Sequence, residues 1–300
     1  MHHFTTVTAK TLAHEPEVED IFSCYIPTVA FDNAYLLHAL LSLAALHIGR
    51  SDPERHNEYL LQARHHHQIA LTQFRKEVKS LTESNLHAVL AFNSSIFPYS
   101  CAISVCSDNL DDTFESICSL LLLVRMVGPL LQASGLYNTL RNSDFGRVMP
   151  KDVYSVDWNQ SPMPIDTELV QLRKFSEAIH HIYPSEIIEA YTEAIRLLAL
   201  LFEVTRKLQK LPSDSLLRIW IHFVPPRFVE LLSERQPGAL IIFAHYAAIL
   251  SKGRHYWFLE GVDELILAVA DAFLPTEWKG WIDWPKEQIH SCRGLRSQSA

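Results

Sequence analysis

Glycine is scarce in this chain of 300 residues: there are 9, against 15 prolines and long tracts rich in leucine and alanine. A sheet protein full of tight turns needs more glycine than that, so helices punctuated by prolines are the expected architecture. Positive charge is short as well. Lys and Arg total 26 against 34 Asp and Glu, a net charge of −8 with histidines neutral, which disfavours a sequence-independent grip on phosphate backbones by this chain. The five cysteines, Cys24, Cys101, Cys106, Cys118 and Cys292, are odd in number and scattered through mostly apolar surroundings. They imply no disulfide framework and read as thiols in a reducing compartment. The N-terminus carries His2, His3 and Lys10 but no continuous apolar stretch, and no later run reads as a membrane span, so neither secretion nor insertion is expected. Motifs of covalent and phosphate chemistry are missing too. There is no GxSxG elbow, no Cys–His protease signature, no GxxxxGK loop and no GxGxxG fingerprint, which leaves binding, or acid–base chemistry in an apolar pocket.

What is present is 48% hydrophobic and 20% charged residues, an ordinary balance for one sizeable core. The densest apolar and aromatic block runs from Ala239 to Trp284. From Leu240 to Leu250 apolar residues occupy nearly every side, broken by His245, which predicts a helix buried all round. Beyond it Leu259, Val262, Ile266, Val269 and Phe273 recur at three- and four-residue steps, an amphipathic helix with Glu260, Asp263 and Glu264 on its wet face. Earlier in the chain, a short helix near residues 15–22 is expected to stop at Pro27. A helix opened by Asp32 or Asn33 carries Leu36, Leu40 and Leu43 on one side, and Pro53 begins a long one-sided helix to about Lys79. A helix from Leu86 is expected to close at Pro98. Residues 133–164, with Gly135, Gly146, Pro150, Pro162 and Pro164 and no sustained period, read as a long irregular loop. The fold expected is all-α: a single helical domain of roughly ten helices over residues 1–290 around the buried C-terminal helix, with a disordered tail at 291–300.

Two stretches carry a family resemblance. Residues 225–250 (PPRFVELLSERQPGALIIFAHYAAIL), with 257–261 (WFLEG) and 281–285 (WIDWP), resemble the C-terminal regulatory domain of fungal Zn2Cys6 zinc-cluster transcription factors, specifically the sterol-uptake-control branch. Residues 2–12 (HHFTTVTAKTL) and 27–48 (PTVAFDNAYLLHALLSLAALHI) resemble the opening of the same domain. The resemblance runs from about residue 2 to about 289 and loosens over residues 94–166. It implies a helical regulatory domain that holds a lipid in a cavity, often as a homodimer, in the nucleus or cytoplasm. The six paired cysteines of the zinc cluster are absent, since Cys101 and Cys106 are too far apart for a CxxC pair and lack a basic flank. The chain is therefore either the regulatory half of a larger factor or a protein that exists without the DNA-binding half; Met1 directly ahead of the opening phrase suggests the second.

The candidate ligand-binding residues are Phe243, His245, Tyr246, Trp257 and Phe258, the first four weighed evenly against plain packing, which is the reading preferred for the WIDWP piece. Should the chain be an enzyme instead, an isomerase or cyclase on an apolar substrate, His245, His255, Glu260 and Asp263 are the conceivable proton carriers. A core histidine and a wet carboxylate face are the simpler readings of those four. No metal and no cofactor are expected. His65, His66 and His67 point about a hundred degrees apart on a helix and cannot close on one ion, and His180 and His181 fail likewise, so a solvated face is the better reading. The expected partners are a hydrophobic small molecule and a second copy or a related factor, with no direct nucleic-acid or membrane contact. The leading function is ligand-sensing regulation of transcription; the alternatives are the biosynthetic enzyme and a DNA-free heterodimerising modulator.

Overall fold

The computed structural model describes residues 1–12, 16–107, 109–125, 134, 136, 139, 152–153, 156–164 and 169–294. Among the described residues there are only helices and connecting turns, so the chain is all-α. The described helices of eight or more residues are numbered in order: α1 Ala34–Ser51, α2 His56–Glu77, α3 Leu86–Ser104, α4 Leu110–Arg125, α5 Val170–Ala178, α6 Ser185–Lys207, α7 Asp214–Phe223, α8 Pro226–Ser233, α9 Pro237–Leu250, α10 Val262–Phe273 and α11 Asp283–Gly294. The loop expected over residues 133–164 falls largely outside the described residues, as do residues 295–300 of the expected tail. The chain divides into two compact units, one formed by Met1–Ile103 and Leu123–Met149, the other by Ser104–Leu122 and Pro150–Ala300.

The first unit is organised by the α1–α2 hairpin. Leu36, Leu40 and Leu43 are buried on α1, and the small residues Ala39, Ser42, Ala44 and Ala45 beside them are buried too, which lets a neighbouring helix approach closely. On α2 only Ala63, Ala70 and Phe74 are buried; it lies on the outside, as its one-sided pattern predicts. Phe74 stacks on Phe92 of α3 with ring centroids 4.4 Å apart, and Tyr35 meets both edge-on.

Two prolines behave differently from expectation. Pro27 occupies the second position of the helix Ile26–Phe31 rather than ending a segment, because a first-turn residue has no intrahelical partner for its N–H anyway. Pro98 lies inside α3, which continues to Ser104. An interior proline costs about 3 kcal/mol of helix free energy, but Ile96, Phe97, Tyr99 and Cys101 around it are buried, and a few large side chains removed from water offset that cost. By length and composition α3 is also the one described helix that meets the criterion for a membrane span, although 78% of that window is buried inside the fold, as in a core helix.

In the second unit α9 is the central element. Every residue from Gly238 to Leu250 is buried, and α6, α8, α10 and α11 pack around it. Its apolar character on all sides requires such surroundings. Pro237 sits in the first turn, where its fixed φ suits helix initiation. Trp158 is buried nearby in the sequence order of this unit, its indole N–H donating to the Val153 carbonyl at 2.8 Å. Arg196 of α6 holds the same stretch through the carbonyls of Trp158 (2.7 Å) and Ser161 (2.5 Å).

Candidate functional site

The helical period separates the candidate residues of α9. Phe243 and Tyr246 are three positions apart and share a face, whereas His245 lies about two hundred degrees round from Phe243. On the Phe243–Tyr246 side, Trp220 of α7 stacks on Tyr246 at 4.6 Å and on Phe243 at 6.4 Å. The polar atoms there are satisfied by backbone: Tyr246 Oη donates to the Leu217 carbonyl at 2.8 Å, and Trp220 Nε1 donates to the Ala194 carbonyl at 2.9 Å. This face is a packed aromatic core with its hydrogen bonds made.

The His245 side differs. The ring is fully buried, and its Nδ1 lies 2.9 Å from the Ile241 carbonyl one turn earlier. A carbonyl only accepts, so Nδ1 carries the proton and Nε2 is a bare acceptor. Nε2 is buried and has no hydrogen-bond partner. Burial holds the ring down at a pKa of about 4, against a smaller opposing effect of the Ile241 bond, so it is neutral at physiological pH. Over its face lies Trp284 of α11, with centroids 5.6 Å apart and planes 12° apart. Trp284 is half-buried and meets Phe202 of α6 at 5.7 Å, and Lys252 Nζ stands 5.4 Å above the Phe202 ring. His245 thus presents a neutral, buried acceptor against the Trp284 ring, with Phe202 and Lys252 following in a chain of contacts behind it.

Trp257 and Phe258 belong to a separate turn, Trp257–Leu259. Phe258 is buried and stacks on Tyr256 at 5.2 Å, Trp257 meets Phe258 edge-on at 5.9 Å, and His255 packs on Tyr256 at 4.2 Å. Tyr256 Oη in turn accepts from the Asp214 N–H at 3.0 Å, and burial pushes its pKa well above the usual tyrosine value.

The carboxylates expected to share a wet face do not. Glu260 is exposed, but Asp263 is fully buried, because Arg254 reaches it from the preceding turn with Nε at 2.9 Å and Nη2 at 2.6 Å from Oδ2. Burial pushes the Asp263 carboxyl up while the Arg254 bonds pull it down. Arg254 also contacts Glu264 at 3.1 Å. The group is an ion-paired clamp between the turn and α10. Of the four conceivable proton carriers, His245 is engaged with Trp284, Asp263 with Arg254 and His255 with Tyr256, while Glu260 is exposed, so the structure gives each a different neighbourhood.

The histidine run on α2 is likewise split among different surroundings. His65 is exposed; His66 Nδ1 meets His38 Nδ1 at 2.8 Å; His67 is half-buried, lies flat on Tyr99 at 3.7 Å and is pushed down by burial to a pKa of about 4. The expectation of a solvated face thus holds for His65 and not for its neighbours, because α1 and α3 supply partners that a single helix cannot reveal. Sequence reading also missed Trp284 as the ring stacked on His245, and Phe202 and Lys252 behind it. The only available signal was the aromatic content of the 281–285 piece, which reads equally as packing.

Residues 1–140 match the model of the fungal specific transcription factor domain. A Zn(2)-C6 fungal-type transcription factor of Gibberella zeae is 25% identical over 95% of this chain and 60% of its own length. Sterol uptake control protein 2 of Saccharomyces cerevisiae is 27% identical over 91% of this chain, and that of Candida albicans 24% over 89%. The chain spans about 60% of the length of the Gibberella relative and 30% and 38% of the two sterol uptake control proteins. The first 140 residues thus match the fungal specific transcription factor domain, and most of the chain is similar to part of proteins named as Zn(2)-C6 fungal-type transcription factors and sterol uptake control proteins.

Proposed function

We propose that this regulatory domain senses a hydrophobic metabolite of sterol or terpenoid type, held in the helical unit around α9, and that occupancy changes what the domain exposes to a transcriptional partner. The observation that supports it is the similarity, over about nine-tenths of the chain, to proteins named for control of sterol uptake, joined to a buried helix whose one bare polar atom is the Nε2 of His245. A ligand shifts such an equilibrium only by binding one state better than the other, so the domain must have two states of unequal affinity. We place the working site in the nucleus, alone or as a dimer with a second copy or a related factor. With a net charge of −8, the chain makes no direct grip on DNA in this reading. The biosynthetic-enzyme alternative gains little from the geometry, because a histidine held at a pKa of about 4 is a weak base at neutral pH.

Native mass spectrometry of the purified chain tests the proposal. A bound neutral lipid of a few hundred daltons that re-binds after delipidation, unchanged on incubation, is the expected result. A delipidated chain that binds none of a panel of sterols and terpenoids overturns it.

A further inference from the structure

The geometry points to His245 Nε2, under the cover of Trp284, as the polar subsite of a neutral apolar ligand that carries a hydroxyl, an alcohol or phenol. This inference rests on the ligand-sensing reading above and narrows the chemistry of that ligand.

The tautomer carries the argument. Because Nδ1 is committed as donor to the Ile241 carbonyl, Nε2 presents only a lone pair, and it is buried without a partner. A buried polar atom left unpaired is costly, so a donor completes the site at a gain and an acceptor does not. That excludes a ketone or ether, which has nothing to donate, and a carboxylate, whose charge opposes the lone pair. An ammonium is disfavoured by the loss of water at a fully buried acceptor. A neutral hydroxyl meets each condition.

The surroundings match such a molecule. A donor reaches Nε2 in the plane of the imidazole, and the Trp284 indole lies 12° from that plane, so a flat body attached to the hydroxyl would run alongside the indole. Trp284 is half-buried whereas His245 and Phe202 are buried.

The test uses the full chain, ergosterol and ergosterol 3-O-methyl ether, which keeps the ring system and loses the donor. Wild type should bind ergosterol about fivefold to tenfold more tightly than the ether, the scale of one neutral hydrogen bond. In His245→Phe, the two should bind within about twofold of each other, the cycle cancelling the bulk of the methyl group. Since the variant can fail to fold, imidazole ¹⁵N spectra of wild type provide an independent reading. The His245 Nε2 resonance should sit at the position of a free acceptor without ligand, and move on adding ergosterol but not the ether. Equal discrimination by wild type and variant, or an Nε2 already hydrogen-bonded in the free protein and unmoved by ligand, overturns the subsite while leaving sterol binding intact. Binding of neither sterol by wild type overturns the sensing reading along with it.

Discussion

Charging His245 is opposed by the fold, and the stability of its unit should record this as acid sensitivity. The atom that gains the proton is Nε2, buried with no acceptor in reach, while Nδ1 already holds a proton against the Ile241 carbonyl. The folded pKa is about 4, against about 6.5 for a free histidine. The unfolded chain therefore takes up a proton at a pH where the folded chain refuses it. The sign follows: the contribution is fully present above about pH 6.5, falls as pH drops toward 4, and is flat below. Between pH 7 and pH 5 the loss from this one residue is about 2 kcal/mol, a large share of a typical domain stability of about 5–15 kcal/mol. All six tryptophans lie in the second unit, so fluorescence-detected urea unfolding follows that unit. Melts of wild type and His245→Phe at pH 5, 6 and 7 give two pH profiles. Whatever the offset at pH 7, the variant should lose about 2 kcal/mol less than wild type on going to pH 5. Parallel profiles would refute the reasoning, meaning that Nε2 finds an acceptor or solvent on protonation.

Gly238→Ala should destabilise the second unit by about 1–3 kcal/mol, because the added methyl meets the Tyr191 ring, overlapping Cε2 and reaching Cζ at 2.8 Å, and that ring is fully buried between Tyr183 and Phe228. Gly253→Ala meets only the methyl tips of Leu217 and Leu259, which can rotate, so in the same urea melts it should cost clearly less; the reverse order would contradict the packing described. Ser213 caps α7 by accepting from the Leu216 N–H at 3.1 Å and donating to Asp152 at 3.1 Å, so Ser213→Ala should lower stability by about 1 kcal/mol, and thermal melting that shows no change would remove the cap from the account.

The all-α fold and the central position of α9 were legible because both follow from short-range pattern: few glycines, and apolar residues on every side of one helix. The division of α9 into two faces is not drawn in the sequence reading: Phe243, His245 and Tyr246 are grouped there as one candidate set, although the helical period puts His245 on another side from Phe243 and Tyr246. What occupies each side was not legible. Trp220 and Trp284 come from α7 and α11, tens of residues away, and no period within α9 names them. Asp263 was misread for the same reason. Its spacing puts it with Glu260 and Glu264, and only the approach of Arg254 from the turn makes burial of that carboxylate tolerable. Pro98 shows propensity overruled, since the punctuation rule describes a helix in isolation and α3 is held by its buried neighbours.

Fusing the chain to an unrelated DNA-binding domain and reading a reporter gene in fungal cells, with sterol synthesis running and then inhibited, tests the central claim most directly. The account predicts that output changes several-fold with sterol supply and that the change is blunted in His245→Phe at equal protein level. Output that stays flat across sterol levels, from a fusion shown to be folded and bound at its promoter, contradicts it.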